Sequence, residues 1–179
     1  MKNEFIRIFT ENVHRDGADK LLAYLESTDF FTAPASTKYH LACGGGLVKH
    51  SVNVYNRFER EDAESRAICA LLHDVCKANF YTVSTRNVKN EQTGQWEKVP
   101  YYTIDEQLPY GHGEKSVYII GGFMKLTREE AMAIRWHMGA YEGEKAWNSV
   151  SAAFEKYPLA LRLHIADLQA TYLDEVRER

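Results

Sequence analysis

Apolar residues recur along most of this chain at the three- and four-residue spacing of helices that bury one face. Phe5, Ile8 and Phe9 predict a short first helix, and Leu21, Leu22, Tyr24 and Leu25 a second, so that N-terminal helices fall within residues 3–28. The stretch from Asp29 to Tyr39, punctuated by Pro34 and by Ser and Thr, reads as a loop. Gly44-Gly45-Gly46 then leads into a helix from about Leu47 to Arg60, with Leu47, His50, Val54 and Phe58 on its stripe. Ile68, Leu71, Leu72 and Val75 predict another from about Ala63 to Lys77. Gly111-His112-Gly113-Glu114 opens the next, which continues through Val117, Ile120 and Phe123.

Thr127 and Glu130 have the spacing of a capping box for a helix that ends at His137-Met138-Gly139, where Gly139 supplies a left-handed cap. A loop rich in Gly, Glu and Trp follows. Pro158 then starts the last helix, with Leu159, Leu163, Ala166 and Ala170 inward. One segment departs from this period. Phe80, Tyr81 and Val83, then Trp96, Val99, Tyr101 and Tyr102, flank a polar turn around Asn90 to Gly94 and predict a β-hairpin over about 80–103. The expected fold is mainly α: a single-domain helical bundle over 1–179, core about 34–172, with that hairpin inserted.

The chemistry begins at His73-Asp74. A helix burying Ile68, Leu71, Leu72 and Val75 cannot bury an ionised carboxylate beside them without a partner, because isolated buried charge is very costly. A metal ion is a fitting partner: His73 brings a neutral nitrogen, and Asp74 two oxygens able to bridge a pair of metals. His50, His112, His137 and Asp167 also fall on apolar stripes or at the ends of predicted helices. Any one of these histidines alone would be an ordinary hydrogen-bonded residue, but packing does not require the whole set. Imidazole with carboxylate suits Mn, Fe, Co, Ni or Zn, and a site leaning on carboxylate and water accepts Mg. Lys77 follows Asp74 and His73 by three and four residues, which places a cation on the same face.

Composition narrows the function classes. The 179 residues suit one domain with a single sizeable core. No window approaches the roughly 20 apolar residues of a membrane helix, and Met1-Lys2-Asn3-Glu4 lacks the layout of a signal peptide, so a cytoplasmic protein is expected. Three cysteines, Cys43, Cys69 and Cys76, form no CxxC pair and indicate neither a disulfide framework nor a zinc knuckle. A formal charge of −3 argues against a broad nucleic-acid footprint and leaves a small anionic substrate open.

The ordered set His50, His73-Asp74, His112, His137, Asp167 resembles that of the HD-domain metal-dependent phosphohydrolases. The resemblance runs from Pro34-Ala35-Ser36 to Asp167. It includes His40 through Gly45-Gly46-Leu47 to His50-Ser51, the doublet followed by Lys77, His112 in GHGEKS, His137 in RWH and Asp167 in ADLQA. The first of these runs is similar to the HD domain of bacterial 3′-to-5′ exoribonucleases and to an HD-like domain of some conjugative relaxases. The resemblance implies an HD-type bundle in which His50, His73, Asp74 and Asp167 bind one divalent metal. His112 and His137 then bind a second metal bridged by Asp74, or contact phosphate instead.

Such a centre lowers the pKa of bound water and orients a phosphoryl oxygen. The leading expectation is therefore hydrolysis of a phosphoester or phosphoanhydride in a nucleotide or short oligonucleotide. Asp74 and Lys77 are the expected catalytic residues, and Lys77, His40, Trp96 and Tyr102 the expected substrate contacts. Long nucleic acid is disfavoured, since the chain has no room for the separate binding domain of the exoribonucleases. Two alternatives stay open: a di-iron oxygenase of HD fold, which shares the ligand order and acts on a small substrate, phosphorylated or not, and a non-catalytic metal- or nucleotide-binding module.

Overall fold

The computed structural model describes residues 1–59 and 62–175. Among them are eight α-helices and one two-stranded antiparallel sheet, the mainly helical single domain that the apolar periodicity predicts. Helix α1 (Lys2–Asn12) buries Phe5, Ile8 and Phe9, and α2 (Ala18–Ser27) buries Leu21 and Leu25. Helix α3 (Gly46–Arg57) is buried from Leu47 and Val48 through His50, Ser51 and Val52 to Val54. It stops at Arg57, and Phe58 is extended; Arg60, the expected end of the helix, lies outside the described residues.

Helix α4 (Ala63–Leu72) is the centre of the bundle. Every residue from Ala67 to Leu72 is buried, so the helix has no solvated face over its second half and packs against α1 and α3. Asp62 caps it by accepting hydrogen bonds from the backbone N–H groups of Glu64 and Ser65. The helix expected to reach Lys77 instead ends at Leu72. The chain then tightens through Asp74 (φ −108, ψ 18) into a 3-10 turn over Val75–Lys77, closed by Lys77 N–H donating to Asp74 O at 3.0 Å. The apolar spacing runs on through Val75, which is why periodicity alone does not register the break.

Helix α5 (His112–Gly121) lies against α6 (Arg128–Trp136), whose start carries the expected capping box between Thr127 and Glu130. The α-helix stops at Trp136, short of the expected end, and Gly139, with the anticipated left-handed φ of +54, opens the 3-10 turn that follows. The stretch after it, expected to be a loop, contains a helix, α7 (Trp147–Lys156). Only Val150 and Ala153 of α7 are buried, so its apolar signal is thin. Helix α8 (Pro158–Gln169) buries Leu159, Ala160, Leu163 and Ala166 and packs on α3 and α6. A wide π turn over Ala170–Asp174 follows it.

Strands β1 (Tyr81–Lys89) and β2 (Trp96–Ile104) form the hairpin expected over 80–103, in register from Tyr81 opposite Ile104 to Lys89 opposite Trp96. Most of its residues are exposed on both faces. Among the described residues no helix is long and apolar enough to cross a membrane.

Helices α5 and α6 meet at backbone distance. A β-carbon placed on Gly113 would lie 2.2 Å from the carbonyl oxygen of Arg135, so any side chain there must push the helices apart. Gly113→Ala is expected to destabilise the fold by about 1–3 kcal/mol, read as a lower denaturant midpoint at unchanged slope. A wild-type midpoint would show that this crossing is loosely packed.

Candidate metal centre

Five helices deliver the predicted residues to one buried place. His50 comes from the middle of α3, and His73 and Asp74 from the turn that ends α4. His112 is the first residue of α5, His137 immediately follows α6, and Asp167 lies on α8. His50, His73, Asp74 and His137 are almost fully buried, and Asp74 is 2% exposed. His112 is partly open at its edge.

Asp74 faces two groups of nitrogens with its two oxygens. Its Oδ1 lies 2.8 Å from His112 Nε2 and 3.6 Å from His137 Nε2. Its Oδ2 lies 3.5 Å from His73 Nε2 and 3.8 Å from His50 Nε2. Asp167 Oδ1 is 3.2 Å from His50 Nε2. The ligand atoms of His50, His73 and Asp74 fall within 4.8 Å of one another, as do those of Asp74, His112 and His137 and those of His73, His137 and Asp167. These clusters can hold a metal ion.

The proton positions say which nitrogens are available. A backbone carbonyl only accepts, so His73 Nδ1 must carry its proton to donate to Ala70 O at 2.9 Å, and His137 Nδ1 likewise to Ile134 O at 2.7 Å. Each ring then turns an Nε2 lone pair into the cluster. Among the described residues, buried His137 Nε2 has no hydrogen-bond partner, its nearest carboxylate oxygen being Asp74 Oδ1 at 3.6 Å. His73 Nε2 stands 3.2 Å from His50 Nε2, a contact between two nitrogens that is favourable only with a proton or a metal ion between them. Nitrogen lone pairs converging on a carboxylate away from water fit a divalent transition metal.

The remaining polar partners close around this group. Lys77 Nζ donates to Asp74 Oδ2 at 2.6 Å and is largely buried, so the cation sits beside the carboxylate as its helical spacing suggested, although the turn is 3-10. Cys76 Sγ lies 3.4 Å from His112 Nδ1. The His40 ring lies tilted at 4.9 Å from the His50 ring, and among the described residues its buried Nε2 has no hydrogen-bond partner. Tyr81, at the base of the hairpin, donates its hydroxyl to Ala35 O at 3.2 Å.

Sequence reasoning missed one residue. Glu175 is 6% exposed and receives His50 Nδ1 at 3.1 Å and Asn53 Nδ2 at 2.9 Å.

Two expected substrate contacts are not brought to the cluster. Trp96 pairs with Lys89 at the far end of the ribbon and is 70% exposed. At about 3.3 Å per residue this is roughly 25 Å from the hairpin base. Tyr102 is nearer, opposite Val83 and half-buried, but its register places it beyond Tyr81. His164 stands behind His137: its Nδ1 donates to His137 O at 2.6 Å, and its ring covers Gly139.

The electrostatics follow from burial against charge. Burial works against ionisation of Asp74, but Lys77 and the surrounding imidazoles hold its carboxyl well below the usual range. Burial would lower His50 too, yet the Asp167 and Glu175 carboxylates override it and push the imidazole up to about 10. His112 also rises to about 10: burial opposes the charge, while Cys76 and Asp74 favour it. Burial dominates at His73, lowered to about 3, and at His40, lowered to about 4.

No protein-family model matches the chain, and neither any curated protein nor any solved structure matches it.

These shifts predict a stability maximum for the metal-free protein. His40 and His73 stay neutral in the folded state down to about 4 and about 3, while the unfolded chain protonates them near 6.5, so stability falls as pH drops below about 6.5. His50 and His112 keep their protons up to about 10; their contribution is complete below about 6.5 and is lost as pH rises through about 10. Urea midpoints measured with a chelator present should therefore peak near pH 6.5. A midpoint rising steadily from there to pH 9 would contradict the assignment.

Proposed function

We propose that this chain is a divalent-metal-dependent phosphohydrolase acting on a nucleotide or another small phosphorylated substrate, and that it is of the HD type its ordered His and Asp residues resemble. The observation that carries the reading is the division of Asp74: one oxygen faces His112 and His137, the other His50 and His73. A carboxylate placed between two sets of nitrogens suits a pair of ions better than one. On this reading His50, His73, Asp74 and Asp167 would hold one ion, and Asp74, His112 and His137 the other.

When bound, such a pair supplies a water acidic enough to ionise near neutral pH and positive charge for a phosphoryl oxygen. The chain's own residues supply the rest. Nδ1–H bonds to Ala70 and Ile134 fix the tautomers of His73 and His137, so their Nε2 atoms need no reorganisation to act as ligands. Lys77, already beside Asp74, is placed to neutralise a phosphate oxygen as charge builds up. His40, with an unpartnered buried nitrogen, offers a further contact on the His50 side. A small substrate at the cluster meets the base of the hairpin around Tyr81 rather than Trp96. Lys77 suits a phosphorylated substrate under either reading, so oxygen consumption against phosphate release separates the hydrolase from the oxygenase.

The test is metal analysis coupled to phosphate release from nucleoside mono-, di- and triphosphates, cyclic nucleotides and short oligonucleotides. Asp74→Asn, which preserves volume beside Lys77, should abolish both metal retention and turnover; an active, metal-loaded variant would sink the mechanism. Lys77→Met should keep its metal and lose about 100-fold in kcat, the size of effect seen when one transition-state donor is removed. A metal-replete protein that consumes oxygen and releases no phosphate would replace this reading with the oxygenase.

A further inference from the structure

Helix α8 and the turn after it place a carboxylate behind His50 that neither the ordered motif nor the apolar pattern indicates. Ala166 and Ala170 face the core on α-helical spacing, and continuing that spacing would bring Leu173 or Asp174 inward. The backbone instead widens over Ala170–Asp174, with Glu175 N–H donating to Ala170 O at 3.1 Å, a span of five residues. That extra residue changes which side chain turns in. Leu173 is 61% exposed, and Glu175 is buried. Asp174 points the other way, to Arg57, whose Nε donates to Asp174 Oδ2 at 2.9 Å.

Once inside, Glu175 contacts the non-cluster side of the His50 ring. Both of its oxygens lie 3.1 Å from His50 Nδ1, and Asn53, one turn along α3, holds Oε1 at 2.9 Å. The opposite ring atom, Nε2, faces Asp74, Asp167 and His73. A carboxylate accepting Nδ1–H fixes the ring orientation, presents Nε2 as the lone pair and makes that nitrogen a better donor. His73 and His137 obtain the same service from backbone carbonyls. His50 sits in mid-helix, where the nearby carbonyls are used by the helix itself, so it requires a side chain from elsewhere.

We infer that Glu175 is a positioning residue for the metal centre: through the π turn it fixes the tautomer and orientation of His50 and strengthens that ligand, without itself touching metal or substrate. The inference rests on the metal-binding reading above. It also assigns the π turn a purpose, since a continuous α-helix would leave His50 without this partner.

The test is cobalt(II) binding by competition with a chromophoric chelator, with the visible spectrum and the exchangeable imidazole N–H proton signals of the cobalt protein recorded alongside. Glu175→Ala is expected to weaken the tighter binding event by about 10–100-fold, to shift the visible bands and to speed solvent exchange of one imidazole proton. Glu175→Gln, which keeps an accepting oxygen but no charge, should lie between Ala and wild type. Asp174→Ala removes the neighbouring pair with Arg57 and should bind cobalt as wild type does. Thermal melts by circular dichroism identify any variant that fails to fold, and Glu175→Gln then carries the test.

Wild-type affinity and spectrum in a folded Glu175 variant would overturn the positioning role and leave the metal reading standing. Equal losses in Asp174→Ala and Glu175→Ala would also overturn it, since the turn as a whole would then be responsible. A wild-type protein that binds no cobalt would overturn the metal reading itself, and this inference with it.

Discussion

The structure is organised by the need to keep one ionised carboxylate, Asp74, out of water. An isolated carboxylate in that position would cost far more than a domain's net stability, so the surroundings must return most of what solvation would have given. Lys77 approaches one oxygen and His112 the other, while His50, His73 and His137 complete the ring. Because these partners come from separate helices, the carboxylate couples the packing of α3, α4, α5 and α6 to a single point. It also explains the break in α4. The α-helix gives way at Asp74 to the 3-10 turn, and both Asp74 oxygens face the cluster there.

Convergence to a few tenths of an ångström needs rigid support, and the support is polar as well as apolar. Glu130 is buried under α6, where it completes the capping box. It also accepts Arg15 Nη1 at 2.6 Å and Nη2 at 2.7 Å, and Ser65 Oγ at 2.6 Å. That network joins the loop after α1, the start of α4 and the start of α6 at the end of the bundle away from the metal centre. At the other end α5 and α6 touch backbone to backbone at Gly113, which brings His112 and His137 within a ring-centroid distance of 5.2 Å. The two ends hold α4 and α6 in one orientation, so the histidines meet without rearrangement when a ligand arrives.

Much of this was legible in the chain. Helical stripes with His50 in place of leucine, a doublet following an apolar run, and a four-residue capping box from Thr127 to Glu130 are local signals, and each marks a real element. What escaped notice depends on local departures from the α period or on weak burial. Helix α7 shows little because only Val150 and Ala153 are covered. The end of α4 was hidden because Val75 stays buried across the change to 3-10 geometry. Glu175 was hidden for the opposite reason: the period predicts Leu173 or Asp174 inward, and a single extra residue in the turn substitutes a carboxylate. The partnership of Lys77 with Asp74 was foreshadowed by spacing, although the geometry that realises it is a different helix.

The hairpin shows how far aromatic composition alone can mislead about a site. A two-stranded ribbon exposed on both faces gains little from burial and is at best marginally stable by itself. It must therefore be anchored where it leaves the bundle. The anchor is at the base: Tyr81 bonds to Ala35, Phe80 lies under the Lys115 ammonium at 4.7 Å from its ring centroid, and Asp105 N–H closes onto Phe80 O at 2.9 Å. Tyr81 is also the aromatic whose hydroxyl lies in the field of Lys77 and Asp74, with burial pushing its phenol up to about 12. It therefore stays protonated and remains a donor throughout the physiological range. The rigid part of the ribbon is the Ala35–Tyr81 junction, and the exposed indole of Trp96 lies at its far end.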